Sequence, residues 1–331
     1  MLNKSNAHNA VLQVYDGYGH TENLTLFGNV YKGRPARERK YTKNIFSNIR
    51  RLIQLFFVKP VAKARVVLQW QHMKLETLTE KDGFFKFEWQ SPEHLEAGWH
   101  ECNVQLFTEE GTLVEEDKAR VFVPHITQYA FISDIDDTVM MSYSATKIKR
   151  LRALLTKHPH NRKIFEGTRE LYEKLVKAYT EPNVPNPFFY VSSSEWNLYY
   201  DLKSFFSFNK LPEGIFLLSQ MKQWFQLFKT GQTKHTGKLT RIFRIMEAFP
   251  KQKFVFFGDN SQADPHIYAA IADKFPDRVF AIYIRNIRPS QETVASQTLS
   301  GILAAETIHT LLFNHTDEAM AHAKKIGLIE N

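Results

Sequence analysis

The sequence predicts a two-domain α/β protein, in which an antiparallel β-sandwich-like domain over residues 1–126 precedes a doubly wound parallel-sheet domain over residues 127–331. Short segments that alternate apolar and polar residues fill the first part, and a period of two indicates strands with one buried face. Beyond residue 128, longer apolar runs alternate with helical patterns, as in a parallel sheet covered on both faces. The length of 331 residues agrees with two domains, since roughly 150 residues is usual for one.

In the first domain, short strands are predicted between turn sequences. Asp82-Gly83 and Glu110-Gly111 are two of these turns. Short strands at near-regular spacing are typical of an antiparallel sandwich. The predicted strands cover residues 10–14, 24–30, 64–70, 84–89, 100–107 and 118–123.

A basic amphipathic helix is predicted as an insertion between these strands, over residues of about 42–59. Its apolar side chains recur at helical spacing and basic side chains accompany them: Ile45, Ile49, Leu52, Ile53 and Phe56, with Lys43, Arg50, Arg51 and Lys59. Two interpretations stay open. Such a helix can lie on an anionic membrane surface, or it can bury its apolar face against its own domain or the neighbouring one.

The second domain follows a linker at residues 123–128. Its predicted strands are 129–133, 188–191, 214–218, 254–257 and 279–284, and its predicted helices are 161–178, 198–206, 237–248 and 265–274. We predict that roughly the last 30 residues are helical as well. Since open α/β sheets bind ligands at the carboxyl ends of their strands, functional residues are expected there.

Composition and charge exclude several classes of protein. With 43% hydrophobic and 24% charged residues, the chain is not largely disordered. No run approaches the roughly 18 apolar residues of a membrane-spanning helix, and the first residues lack the apolar segment of a secretory signal. Cys102 is the single cysteine, which excludes an intrachain disulfide and favours a reducing compartment. We therefore expect a cytoplasmic protein whose net charge of +8 can draw it peripherally to an anionic membrane.

Three carboxylates within four residues follow the first predicted strand of the second domain. They belong to Asp134, Asp136 and Asp137, and Thr138 comes directly after them. Carboxylates this close repel one another, and burying them without a counter-ion is costly. The pattern therefore indicates either a bound cation or a solvated acidic turn.

Three further features lie at later strand ends and helix starts. Ser192 follows the second predicted strand, where a hydroxyl can donate to a phosphoryl oxygen. Lys238 lies at a helix start, where an ammonium group can neutralise phosphate, and Lys234 is the alternative. Asp259 and Asp264 form a Gly-Asp-x4-Asp segment after the fourth strand, and their oxygens suit Mg²⁺. Each feature alone is equally typical of a polar loop or a solvated charge.

The order of these four features resembles the haloacid-dehalogenase superfamily of phosphotransferases, over residues of about 129–288. The surrounding sequence is similar to the actin-patch-protein type of phosphatidate phosphatase. The similar segments are 133–139, 190–196, 237–239, 258–268 and 282–285, and residues 15–19 and 26–28 resemble the β domain that accompanies the family. The chain departs from the family at Ser193-Ser194-Glu195, where Asn-Ser-Pro is common, and at Asn260, where Ser is common.

The resemblance implies a phosphatase that forms an aspartyl-phosphate intermediate. It implies that Asp134 is the nucleophile, that Asp136 is the general acid and base, and that Ser192 and Lys238 hold phosphoryl oxygens. Mg²⁺ is the implied cofactor. Its implied ligands are Asp134, Asp136 through its backbone carbonyl, Asp259 and Asp264. The implied supporting or substrate-binding residues are Thr138, Ser193 and Asn260.

The implied partner is a phosphorylated substrate, with phosphatidate converted to diacylglycerol, and no nucleic-acid partner is expected. The gaps between the motifs are too short for an elaborate cap domain, and an open site suits a bulky or membrane-bound substrate. Basic residues between 147 and 157, and the basic and aromatic segment 222–229, are candidates for contact with a membrane. Two alternatives stay open: a phosphatase of a soluble or nucleic-acid-end phosphomonoester, and a membrane or protein adaptor with a vestigial site.

Overall fold

The computed structural model describes residues 9–33, 59–125, 129–141, 163–181, 184–219, 233–302 and 307–330. The described residues form two compact units, one that ends at Pro124 and one that begins at His125. None of the helices within these ranges has the length and the hydropathy of a membrane-spanning segment.

The described strands of the amino-terminal unit form one curled sheet. They are β1 Ala10–His20, β2 Asn23–Lys32, β3 Lys59–Pro60, β4 Arg65–Trp70, β5 Met73–Leu78, β6 Phe84–Trp89, β7 Gly98–Phe107 and β8 Leu113–Val123. Their order is β3-β2-β1-β8-β7-β4-β5, and β6 pairs with β2. The prediction of an antiparallel sandwich is therefore corrected in two respects, because the strands share one sheet and because β1 and β8 run parallel.

The length of β1 and β2 explains this difference. β2 pairs with β1, β3 and β6, and β1 pairs with both β2 and β8, so the two strands link groups that a sandwich would separate. A shift of register between Tyr15 and Tyr18 marks a bulge in β1, and bulges bend a strand.

The curl of the sheet encloses an apolar core. Trp70 on β4 and Trp89 on β6 are not on paired strands, yet their rings pack edge to face with centroids 5.3 Å apart. Buried side chains from most of the strands surround this pair, among them Leu12, Leu26 and Val104. Burial of such side chains from water is the main favourable contribution to folding of this unit.

The carboxy-terminal unit contains a parallel sheet of six described strands. They are β9 Tyr129–Ser133, β10 Phe188–Glu195, β11 Ile215–Ser219, β12 Lys253–Asp259, β13 Val279–Arg285 and β14 His309–Phe313. The described helices are α1 Thr168–Lys177, α2 Tyr199–Phe208, α3 Thr233–Ala248, α4 Asp264–Lys274, α5 Glu292–Ile302 and α6 Thr316–Lys325. The strand order is β11-β10-β9-β12-β13-β14, and every pairing is parallel.

This order places a topological switch point at β9 and β12. From β9 the chain adds strands outward to β11, and it then returns to the other side of β9 and adds β12 to β14. Ser133 at the end of β9 pairs with Phe257 of β12, so the residues that follow the two strands lie side by side. A crevice outside the carboxyl ends of the strands at such a point is the usual ligand site of an open α/β sheet.

The structure corrects the prediction at two places and leaves it untested at a third. The last residues are not all helical, because β14 lies between α5 and α6; this short, half-buried edge strand lacks the continuous apolar run of a central strand. The helix predicted over 161–178 begins only at Thr168, after Gly167 with a left-handed φ of 73°. The helix predicted over 42–59 lies outside the described residues except for Lys59, which opens β3.

Candidate active site

The loop that follows β9 folds tightly back on itself. The amide of Asp134 donates to the carbonyl oxygen of Phe257 at 2.9 Å, and the amides of Val139 and Met140 both donate to the oxygen of Ile135 at 3.0 Å. Asp137 has a φ of 62°, a left-handed conformation that aspartate tolerates better than most residues. The loop therefore holds the carboxylates of the Asp-x-Asp-Asp sequence in a buried position.

Lys238 joins two of the predicted site carboxylates. Its Nζ lies 2.8 Å from Oδ1 of Asp134 and 2.5 Å from Oδ1 of Asp264. All three side chains are buried, and unpaired charges at this depth would be strongly unfavourable. Lys238, in the second turn of α3, therefore lies in the site, and the side chain of the alternative, Lys234, lies outside the described residues.

Burial and charge oppose each other in this cluster. Burial raises the pKa of Asp134, and the Lys238 charge only partly offsets this rise. Burial alone would lower the pKa of Lys238, but the carboxylates of Asp134 and Asp264 outweigh it, and its pKa is raised. Burial, followed by the charge of Asp134, raises the pKa of Asp259 to about 6. More carboxylate charge is concentrated here than the lysine neutralises, which favours a further cation.

Gly258 is required where β12 meets the start of α4. A Cβ added at Gly258 would lie 2.6 Å from Oδ2 of Asp264 and 2.7 Å from Cε2 of Tyr268. The missing side chain lets Asp264 pack against the strand, where its Oδ2 accepts a hydrogen bond from the amide of Asp259 at 3.4 Å. The glycine of the Gly-Asp-x4-Asp segment thus has a steric role.

The side chain of Asp136 points toward the end of β10. Its Oδ2 accepts hydrogen bonds from the hydroxyls of Ser192 at 3.2 Å and Ser194 at 3.4 Å. Ser192 Oγ also accepts a hydrogen bond from the amide of Ser194 at 2.9 Å. Two hydroxyls therefore orient this carboxylate, away from the ion pair that holds Asp134.

Three oxygens, two from the loop after β9 and one from the end of β12, converge on the side chain of Gln262. Nε2 of Gln262 lies 3.2 Å from Oδ2 of Asp134, 3.4 Å from the backbone oxygen of Asp136 and 3.3 Å from Oδ2 of Asp259. Ligand oxygens of Asp134, Asp259 and Asp264 all lie within 4.8 Å of one another. Carboxylate and carbonyl oxygens are the ligands that Mg²⁺ prefers, so the donor set fits that ion.

The remaining predicted residues lie around this centre with different contacts. Among the residues that the structure describes, the buried hydroxyl of Thr138 has no hydrogen-bond partner. Asn260 turns away from the carboxylates, because its Oδ1 accepts from the amides of Ile287 and Arg288 and its Nδ2 donates to the Arg288 oxygen. Ser193 is half-buried, and its neighbour Ser194 makes the contact with Asp136 instead.

Sequence reasoning missed two cationic residues near the site. Arg241, three residues after Lys238 on α3, donates to the backbone oxygen of Ser192 at 3.2 Å, and burial lowers its pKa to about 10. Arg285, at the end of β13, donates to the backbone oxygen of Thr138 at 3.2 Å. The i,i+3 spacing on one helix and the strand-end position were the available signals for these two residues.

Sequence reasoning also missed Ser194 and Gln262. Ser194 lies one residue beyond the predicted Ser193, and Gln262 lies inside the Gly-Asp-x4-Asp segment. A serine or a glutamine in a polar loop carries no chemical signal of its own. Only its contacts with Asp136 or with the oxygen cluster identify it.

Comparison with known proteins identifies the region that carries this site. Residues 129–286 match the family described as phosphatidate phosphatase APP1, catalytic domain. The chain is 30% identical over 165 residues to phosphatidate phosphatase APP1 of Saccharomyces cerevisiae, which covers 50% of this chain and 27% of that protein. It is 25% identical over 182 residues to an uncharacterized protein of Schizosaccharomyces pombe, covering 54% of this chain and 29% of that protein.

The matched region is therefore less than a third of the length of either relative. Among solved structures, a carbohydrate acetylesterase from Xanthomonas citri is similar over 96% of this chain and 75% of its own, with 10% identity and a TM-score of 0.35. Residues 129–286, which run from β9 to β13, therefore match the phosphatidate phosphatase APP1 catalytic domain, and the yeast relative carries the same name.

Proposed function

We propose that this chain is a Mg²⁺-dependent phosphatase of the haloacid-dehalogenase type that hydrolyses phosphatidate to diacylglycerol and phosphate. The observation that carries the proposal is the pair of contacts made by the two carboxylate oxygens of Asp134. One of its buried oxygens binds Lys238, and the other lies in the cluster of oxygens around Gln262. A carboxylate between a cation and a metal-type ligand set suits attack on a phosphoryl group, and the family match supports the lipid phosphate as substrate.

The covalent step involves Asp134 and Asp136. A carboxylate oxygen of Asp134 bonds to phosphorus while the bond from phosphorus to the glycerol oxygen breaks, and Asp136 gives a proton to that oxygen. In the second step Asp136 takes a proton from water, whose oxygen attacks the phosphorus and releases phosphate and free Asp134. Ser192 and Ser194 hold the Asp136 carboxylate during both proton transfers.

Asp134, the backbone oxygen of Asp136, and Asp259 are the groups that would hold Mg²⁺. When bound, the ion reduces the repulsion between the carboxylate nucleophile and the phosphate. Asp264 contributes mainly by fixing Lys238, since one of its oxygens binds Nζ and the other accepts the amide of Asp259.

Two cationic side chains on α3 can stabilise the negative charge of the phosphoryl oxygens. Lys238 is already fixed by Asp134 and Asp264, so it requires little rearrangement when charge develops in the transition state. Arg241 lies one turn further along the helix and is anchored to Ser192, and its buried Nε has no hydrogen-bond partner among the described residues. We propose that Arg241 binds a second substrate oxygen.

Peripheral contact with an anionic membrane, and a cytoplasmic location, belong to the same proposal. The net charge of +8 favours such contact. The basic and aromatic segments predicted to make it, 147–157 and 222–229, lie outside the described residues.

Phosphate release from phosphatidate in mixed detergent micelles tests the proposal, with Mg²⁺ and with EDTA. We expect metal-dependent release by the wild type, a loss of at least about a thousandfold in Asp134→Asn, and unchanged release in the control Asp273→Asn, an exposed aspartate on α4. Metal-dependent release from soluble phosphomonoesters but not from phosphatidate would overturn the lipid assignment. Release from neither class would overturn the phosphatase assignment and favour an adaptor.

A further inference from the structure

Gln262 makes an unusual set of contacts for a neutral side chain. Its Nε2 faces three acceptors at 3.2 to 3.4 Å, two of them carboxylate oxygens and the third a backbone carbonyl. A side-chain amide has only two hydrogens, so one nitrogen cannot satisfy three acceptors fully. It also carries no charge with which to neutralise the two carboxylates. The position at the centre of these oxygens therefore suits a cation better than it suits the amide.

The three ligand groups are held in place independently of Gln262. Asp134 is fixed through its other oxygen by Lys238 at 2.8 Å. Asp259 is fixed through its other oxygen by the amide of Ser261 at 2.6 Å. The backbone of Asp136 belongs to the tight loop after β9. Withdrawal of the amide would therefore leave the oxygen cluster in its present arrangement.

Gln262 is more exposed than the groups that it contacts. It lies in the turn between β12 and α4 and is partly exposed, whereas Asp134, Asp136 and Asp259 are buried. A long side chain in a partly exposed turn can rotate toward solvent without opening the core. Of the four contacting groups, Gln262 is the one able to leave.

We propose that Gln262 occupies the divalent-cation position of the metal-free protein and must withdraw before the cation binds. This inference rests on the proposed metal site and adds a residue that sets its affinity. The amide stabilises the metal-free state, and a side chain that stabilises only that state weakens binding of the ion by mass action. Because the three hydrogen bonds of Gln262 must break before the ion binds, we expect them to weaken Mg²⁺ binding roughly tenfold.

Isothermal titration of the metal-free full chain with Mg²⁺ tests this competition. We expect Gln262→Ala to bind Mg²⁺ roughly tenfold more tightly than the wild type, and Gln262→Met, which keeps the bulk of the side chain without its donor, to bind more tightly too. Gln90→Ala removes an exposed glutamine of the other unit and is the control for a change without site contacts.

Thermal unfolding gives a second readout that does not depend on activity. The Gln262 variants should melt at a lower temperature than the wild type without metal and at a similar temperature in saturating Mg²⁺. Equal or weaker Mg²⁺ binding by both variants would show that Gln262 does not compete with the ion, and would overturn the inference while leaving the metal site intact. Absence of Mg²⁺ binding in wild type and variants alike would instead overturn the metal site itself, and the inference with it.

Discussion

The guanidinium of Arg285 donates to the backbone oxygen of Thr138, and this bond joins the end of β13 to the loop that carries Asp134 and Asp136. The same guanidinium donates to the hydroxyls of Thr168 and Thr316. It is buried between the rings of Phe165 and Phe313, at 4.2 and 4.7 Å from their centroids. Its planar shape, rather than its charge alone, makes this set of contacts possible.

We therefore predict that Arg285→Lys lowers the free energy of unfolding by about 2 kcal/mol, because lysine keeps the charge but loses the fork of donors. Urea titration of both proteins measures the difference. Arg169→Lys, at an exposed arginine that pairs with Glu173 on α1, is the control and should cost less than about 0.5 kcal/mol. Equal stability of Arg285→Lys and the wild type would show that the planar set of guanidinium donors does not stabilise the fold.

Gly258→Ala is predicted to damage the site through a single methyl group. The new Cβ would lie within 2.7 Å of Asp264 and Tyr268, so Asp264, whose other oxygen binds Lys238, must change its position. We expect a loss of about 1–3 kcal/mol of stability from overpacking and a clear fall in phosphate release. Gly301→Ala on α5 is the matched control: it meets no neighbour within 4 Å and should stabilise the protein by up to about 1 kcal/mol.

Lys238→Met leaves two buried carboxylates without their cation. We expect the metal-free protein to lose about 3–5 kcal/mol near neutral pH, the usual effect of breaking a buried pair. Lys251→Met, at an exposed lysine, is the control. A loss below about 1 kcal/mol would mean that the pair at 2.8 Å contributes no more than a surface salt bridge.

The loss of folding stability caused by Lys238→Met should depend on pH. Burial raises the pKa values of Asp134 and Asp264, so the folded metal-free protein keeps protons that the unfolded chain has released. Stability therefore falls as pH rises from the ordinary aspartate range toward neutrality. Loss of the lysine charge raises both pKa values further. Urea titrations at about pH 5 and about pH 8 should show the larger loss of stability from Lys238→Met at the higher pH. A larger loss at the lower pH would contradict the pairing of Lys238 with ionised Asp134 and Asp264.

Ser192 and Ser194 are predicted to act through Asp136. Ser192→Ala removes the shorter of the two hydrogen bonds to Asp136 Oδ2, so the carboxylate that we propose transfers protons becomes less well oriented. We expect kcat to fall roughly tenfold, against about 10²–10⁴-fold for Asp136→Asn. Steady-state kinetics with phosphatidate micelles measures both, and Ser204→Ala on α2 is the exposed control. A change in KM alone would indicate substrate binding rather than positioning of Asp136.

Cys102 provides a test of the amino-terminal unit. The thiol lies inside the curled sheet, and burial, with smaller contributions from Asp16 and Glu101, raises its pKa to about 12. A thiol that is both buried and protonated reacts poorly with disulfide reagents. We predict that Ellman's reagent labels Cys102 only when urea unfolds the protein. Rapid labelling of the folded protein would contradict the enclosed core.

The sequence predicted the parallel sheet of the second domain well because its central strands are continuous apolar runs, such as Phe254–Phe257 within β12. The strand β14 was missed because an edge strand with half-buried side chains lacks that signal. The curl of the first sheet was missed because it depends on which strands pair with β1 and β2. The alternation of apolar and polar residues predicts a strand but does not predict its pairing partners.

The site was predictable to the extent that acidic and basic residues follow strand ends. The strand order brings these side chains into contact: Nζ of Lys238 binds Asp134 and Asp264, and Asp259 lies within 4.8 Å of both carboxylates. The contacts of Gln262 were not predictable, because a glutamine in a polar loop is an ordinary surface residue until the fold places it.

Trapping of the covalent intermediate tests the central proposal most directly. Wild type, Asp134→Asn and Asp136→Asn are mixed with phosphatidate labelled in its phosphate, in the presence of Mg²⁺, and quenched with acid within one turnover. We predict acid-stable label on the peptide that contains Asp134 in the wild type, slower formation of the same label in Asp136→Asn because the leaving oxygen lacks its proton donor, and no label in Asp134→Asn. Label on another residue, or phosphate release with no labelled protein in wild type and in Asp136→Asn, would contradict nucleophilic attack by Asp134.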